Sequence, residues 1–247
     1  GATEALAVKA QSAELSCDFV EATRLLQAAI ASNPREPTPH HWYANQLQWL
    51  GHTARAREEI DRAFELDPLI SAVVAVSALL HVTTGEFDKA LTQARDAQRL
   101  GHEIARTVEQ YALYFRGDIT EMAQESRDGV LTYQPLWDSW NAALSNPASM
   151  PEFERQVMAL EPLGRQDQVA VTTMLAYAGS AVLPRFLEAY DCPGFGWFLW
   201  SERMKEQRGT EAFFRQMERT GVVDYWREFG WPDDCASLDQ ELAECPE

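Results

Sequence analysis

Gly51 to Pro68 reads GHTARAREEIDRAFELDP, and Gly85 to Gln98, further along the chain, reads GEFDKALTQARDAQ. Each stretch opens on glycine, carries alanine at Ala56 or Ala90, and carries it again at Ala63 or Ala97. The interval that separates Gly51 from Gly85, applied towards the N-terminus, leads from Ala56, Ala63 and Pro68 to Ala22, Ala29 and Pro34. Ala10, Ala44 and Ala78 share the period. Alanine is common, so one such match would mean little. Five positions in one register, with glycine and proline where a helix pair must turn, define an internal repeat.

Close helix packing explains the pattern. Two antiparallel helices approach closely only where a small side chain sits at the contact, and larger apolar residues then fill the groove beside it. Leu25, Leu26 and Ile30 do so in the first copy, Tyr43, Leu47, Ile60 and Phe64 in the second, and Leu79, Leu80, Phe87 and Leu91 in the third. Gly51 and Gly85 supply the left-handed turn that ends a helix. Pro34 and Pro68 stop the one that follows.

These residues resemble the tetratricopeptide repeat over about residues 3 to 102. The resemblance implies an all-α right-handed superhelix of antiparallel helix pairs, with repeats over residues 1–118 and degenerate helical repeats plus a cap over 119–247. Tyr111, Tyr114, Gly117 and Asp118 look like the middle of a fourth copy, although Met122 and Gly129 stand where alanines are expected. Capping boxes are expected at Asp118 with Glu121, Ser149 with Glu152 and Ser237 with Gln240. Breakers are expected at Asn146–Pro147, Pro162–Gly164, Pro184, Cys192–Gly194 and Gly209. Trp137 with Trp140 and Trp197 with Trp200 are spaced as ridges on helices, read as core between helices.

Composition narrows the partners. The 247 residues are 46% apolar, enough for a folded core, and 21 Lys plus Arg face 38 Asp plus Glu for a formal charge of −17. Such a field repels a polyanion, so nucleic acid is not expected as a direct partner. The uncharged stretch from Leu69 to Val82 is too short to cross a bilayer. Thr3, Glu4 and Lys9 interrupt the opening residues, which do not read as a signal peptide.

Motifs for phosphate, zinc or a nucleophile elbow are missing, and no cofactor is expected. His40 and His41 are neighbours and would point apart on a helix. His102 with Glu103 lacks a second histidine. Carboxylates in helical register, Glu58 with Asp61 and Glu121 with Glu125, read as a solvated face, not an acid–base pair. Cys17 and Cys192 read as free buried thiols. Cys235 and Cys245, in an acidic tail with little core, read equally well as thiols or as a disulfide; the second would imply an oxidising, periplasm-like compartment.

Carrying the family's groove positions onto this register places Glu4, Ala7, Gln11, Glu14 and Leu15 of the first copy on the concave wall. Thr38, His41, Asn45, Gln48 and Trp49 follow from the second copy, and Ala72, Ala75, Leu79, Val82 and Thr83 from the third. Of these, Gln11, Glu14, His41, Asn45, Gln48, Trp49, Leu79 and Val82 are the expected ligand-binding residues. The carboxylate clamp of chaperone-binding members is not expected, because Ala7, Ala72 and Val76 stand where cations would be needed. A wall that runs from acidic through polar and aromatic to apolar suits a protein or peptide ligand with a basic end. Two alternatives remain: the C-terminal half folds back and fills the apolar part, or the chain is a homo-oligomerisation module. Last, GVVDYWREFGWPDDC from Gly221 to Cys235 resembles the closing segment of tetratricopeptide sensor regions in bacterial signalling proteins. There Tyr225, Trp226, Phe229 and Trp231 are expected to cover the apolar end of the last repeat.

Overall fold

The computed structural model describes residues 1–102, 105–118, 122, 133–190, 192 and 196–246. These residues are helical, with no strand among them. Helices α1 Ala2–Leu15, α2 Phe19–Ser32, α3 Pro37–Trp49, α4 Thr53–Leu66, α5 Ser71–Thr83, α6 Phe87–Arg99 and α7 Ala105–Arg116 form a solenoid-like stack in which each packs on its neighbours. The backbone keeps the sequence period: α2, α4 and α6 start at Phe19, Thr53 and Phe87, and α3, α5 and α7 at Pro37, Ser71 and Ala105.

Every alanine of the register, Ala10, Ala22, Ala29, Ala44, Ala56, Ala63, Ala78, Ala90 and Ala97, is fully buried. Gly51 at φ +84° and Gly85 at φ +76° adopt the left-handed conformation. The next amide then bonds back five residues, His52 to Leu47 at 2.9 Å and Glu86 to His81 at 2.8 Å, taking up carbonyls that the helix end leaves without partners. Asp18 bonds to Ala13 in the same way at 2.9 Å. The left-handed residue there, in register with Gly51 and Gly85, is Cys17 at φ +58°, the one non-glycine in that conformation among the described residues. Pro34 and Pro68 follow extended residues just past α2 and α4. In the fourth copy, α7 buries Tyr111 and Tyr114 and ends at Gly117, φ +101°. Glu103, Glu121, Glu125 and Gly129 lie outside the described residues.

The remainder is less regular. It comprises α8 Trp137–Ser145, α9 Met150–Met158, α10 Arg165–Ala178, α11 Leu183–Leu187, α12 Lys205–Arg208, α13 Glu211–Arg219 and α14 Val222–Phe229, joined by short 3₁₀ turns. Several sequence signals are overturned. Ser149 caps nothing; Asn146, three residues earlier, accepts from the Ala148 amide at 3.1 Å and starts a 3₁₀ turn that leads into α9. Ser237 starts no helix, because its hydroxyl accepts from the buried Arg208 at 2.8 Å, while Gln240 donates to the carbonyls of Cys235 and Leu238. Pro184 lies in the first turn of α11, where a missing amide costs nothing. Trp197 and Trp200 share a 3₁₀ turn, not an α-helical ridge.

The C-terminal region returns to the middle of the repeats, and this corrects the expected cap. Three successive carbonyls at the end of α3 accept donors from it. Trp200 Nε1 donates to Trp49 at 2.9 Å, Trp226 Nε1 to Leu50 at 2.9 Å, and the Asp233 amide to Gly51 at 3.0 Å. The Asp233 carboxylate accepts from the Ala54 amide at 2.7 Å, satisfying the start of α4. The aromatics thus cover the α3–α4 turn, where unpaired backbone groups await partners, and not the end of the last repeat. Cys17 and Cys192 are not free thiols: they form a disulfide with a Cα–Cα distance of 5.6 Å, tying the first repeat to the C-terminal region. Cys235 and Cys245 form the second, at 5.9 Å.

Candidate functional site

Helix α3 runs along the interior of the stack, and its spacing decides what it shows there. Trp42, Asn45 and Trp49 stand at steps of three and four, so they form one stripe. That stripe walls a cleft of about 350 Å³. Gln11 of α1, His41 of α3, Leu79 of α5 and Tyr111 of α7 reach the same space, with His102 beside them. Val169 and Thr173 of α10 and Phe198 close it from the C-terminal side. The C-terminal half therefore does fold over the concave face, and it leaves a bounded cleft where an open groove was expected.

Five of the eight expected residues meet there: Gln11, His41, Asn45, Trp49 and Leu79. Three do not. Gln48 is buried, its amide donating to the Val76 carbonyl at 3.3 Å. Val82 is buried in the core that α5 shares with Phe198 and its neighbours. Glu14 is half-buried on α1 and does not line the cleft. Trp42 was missed because the family register points to His41; its spacing from Asn45 and Trp49 was visible. Phe198 and Thr173 carry no local signal, since only the chain's return brings them in.

Polar groups on the wall are under-used. The half-buried Asn45 amide makes no hydrogen bond among the described residues, and the indole N–H groups of Trp42 and Trp49 meet no acceptor there. His41 is buried, and its Nδ1 has no hydrogen-bond partner among the described residues. Burial pushes its pKa down to about 4, with His102 adding to the effect. The Thr38 backbone pulls the other way without meeting hydrogen-bond geometry at Nδ1. His41 is therefore a neutral imidazole near neutral pH. Tyr111 stacks on Tyr177 at 5.1 Å, and burial raises its pKa.

Among the described residues no Asp, Glu, Lys or Arg lines the cleft, despite the charge of the whole chain. Such a wall can hold an apolar or aromatic group by area and orient it by amide and indole hydrogen bonds. His40 is occupied elsewhere: Nδ1 lies 2.7 Å from Glu59 and Nε2 3.3 Å from the Pro34 carbonyl. Among the described residues no group of three or more His, Cys, Asp or Glu could hold a metal ion. Set against known proteins, the chain matches no family model and no curated relative. No helix among the described residues is long and apolar enough to cross a membrane.

Proposed function

We propose that this chain is a non-catalytic binding module of the tetratricopeptide type that takes a segment of a protein or peptide into the cleft between its repeats and its C-terminal region. The observation that carries the reading is the Trp42–Asn45–Trp49 stripe, whose amide and indole donors have no partner within the described protein while their apolar surfaces face a bounded space. A cleft of about 350 Å³ is at the small end of ligand pockets, enough for one or two side chains and not for a whole helix. The ligand therefore enters as an extended segment or a chain end.

The resemblance of Gly221–Cys235 to sensor regions of bacterial signalling proteins adds a setting: the module reports the presence of its ligand to a domain joined to it. Two disulfides suit an oxidising compartment, where ligand-sensing modules of this kind would work. Weighing against the homo-oligomer alternative, Leu79 and Trp231 are both partly buried against the chain's own core. Titration of a peptide library against the wild type and Asn45→Ala with Trp49→Ala tests the proposal. A loss of at least about tenfold in affinity is expected, since central aromatic anchors carry such losses; unchanged affinity would remove the cleft as the site.

A further inference from the structure

Trp42 belongs to two cavities. One side of it lines the cleft described above; it also lines a second space of about 390 Å³ at the α1–α3 edge, with Glu4, Val8, Glu36, Thr38 and Pro39. Among the described residues the two spaces differ in charge, and the tryptophan between them is the only side chain they share. Glu4 is engaged by a cation already, the Gly1 amino group at 2.5 Å. Glu36, the residue before the first turn of α3, is half-buried, and its carboxylate has no partner among the described residues. His41, on the cleft side, stands edge-on to the Trp42 ring with centroids 5.9 Å apart, and its buried Nδ1 has no hydrogen-bond partner among the described residues.

Resting on the peptide-binding reading above, we infer that the outer cavity is a subsite for an arginine side chain of the bound segment, with the next apolar side chain seated in the cleft beyond Trp42. A guanidinium is planar, so it can stack on the indole and fork onto a carboxylate at once. Neutral His41 adds no opposing charge. The net charge of −17 draws a basic segment towards the protein, whereas the described lining of the cleft offers the cation no carboxylate, so the acidic cavity fixes the direction in which the segment lies.

The test uses two capped hexapeptide libraries, one with arginine fixed at each position in turn and a twin with citrulline, which has the same shape without the charge. Fluorescence polarisation is read on the wild type, Glu36→Gln, Trp42→Leu and Trp49→Ala, each checked for an unchanged melting curve. The arginine library is expected to bind about tenfold tighter than its twin, and Glu36→Gln is expected to remove most of that preference. Trp42→Leu should do the same, and added salt should narrow the gap. Equal binding of the two libraries to wild type overturns the inference, as does a preference that survives both Glu36→Gln and Trp42→Leu. If both libraries bind equally and Trp49→Ala weakens them, the arginine subsite falls while the cleft stands. If neither library binds, both fall.

Discussion

In the repeats a buried alanine returns once in every copy and makes the same kind of contact each time; in residues 133–246 the main anchoring contacts are made once, by a large side chain with no counterpart. Ala22, Ala56 and Ala90 are interchangeable in role. Trp226, Trp200, Arg208 and Asp233 are not. Arg208 is fully buried and spreads its donors over Ser237, Leu199, Ser201 and Asp234 at 2.7–2.8 Å, a network that occurs nowhere else in the described chain. The difference shows how the cleft arises. A repeat alone bends into an open wall, whereas a unique region docked across it gives the wall a second side and a definite volume.

The largest expected effect comes from the tie between the two regions. Loop-closure entropy assigns about 5 kcal/mol to a bond spanning 175 residues and about 3 kcal/mol to one spanning 10. Urea titrations of Cys17→Ser with Cys192→Ser, and of Cys235→Ser with Cys245→Ser, should therefore rank in that order. A reversed ranking would mean that the repeats and the C-terminal region are held together almost wholly by packing.

Trp226→Ala follows. The side chain is fully buried, so its loss should cost roughly 3–5 kcal/mol by cavity formation, with the Leu50 carbonyl left unpaired. A loss under about 1 kcal/mol would show that this part of the chain is not seated on the α3–α4 turn.

The pH dependence tests the same seam. His52 sits beneath Tyr225, ring centroids 5.5 Å apart, and burial followed by the Arg55 charge lowers its pKa to about 4. The unfolded chain, with an ordinary value of 6.5, takes up its proton first as pH falls. Stability is therefore complete above about pH 6.5 and is lost progressively towards pH 4, by about 3 kcal/mol for this one residue. His41 shifts in the same direction. Glu86, lowered to about 2 first by Lys89 and then by His81, contributes a further loss only below its ordinary 4.5. Urea midpoints from pH 4.5 to 7.5 should flatten measurably in His52→Asn, and an unchanged slope would contradict the burial of this ring.

How much could be read from the sequence follows from the same contrast. The repeats were legible because their contacts recur at one short spacing, so glycine, alanine and proline marked the helices, turns and stops. Cys17 was the one warning inside that register: it occupies the position of Gly51 and Gly85, and its disulfide to Cys192 takes it out of the pattern. The return of the C-terminal half over the apolar wall was one of the alternatives the sequence left open, but the place where it docks was not legible. Its anchoring bonds to α3 and α4 span 151, 176 and 179 residues, and no local periodicity encodes a contact at that range. The site was accordingly half visible: α3 supplied His41, Asn45 and Trp49 through the repeat register, whereas Phe198 and Thr173 reach the cleft only through the return of the chain.

The most direct test compares two glycines that the repeat makes equivalent. Gly51 and Gly85 share a left-handed backbone, so alanine at either should cost about 1 kcal/mol for the conformation alone. At Gly85 an added Cβ meets nothing within 4 Å, whereas at Gly51 it would lie 2.6 Å from Pro232 and from the Trp200 ring. Urea unfolding of the two variants should show Gly51→Ala less stable than Gly85→Ala by a further roughly 1–3 kcal/mol, the usual cost of overpacking. Equal losses would mean that the C-terminal region does not lie on the α3–α4 turn, and the bounded cleft would go with it.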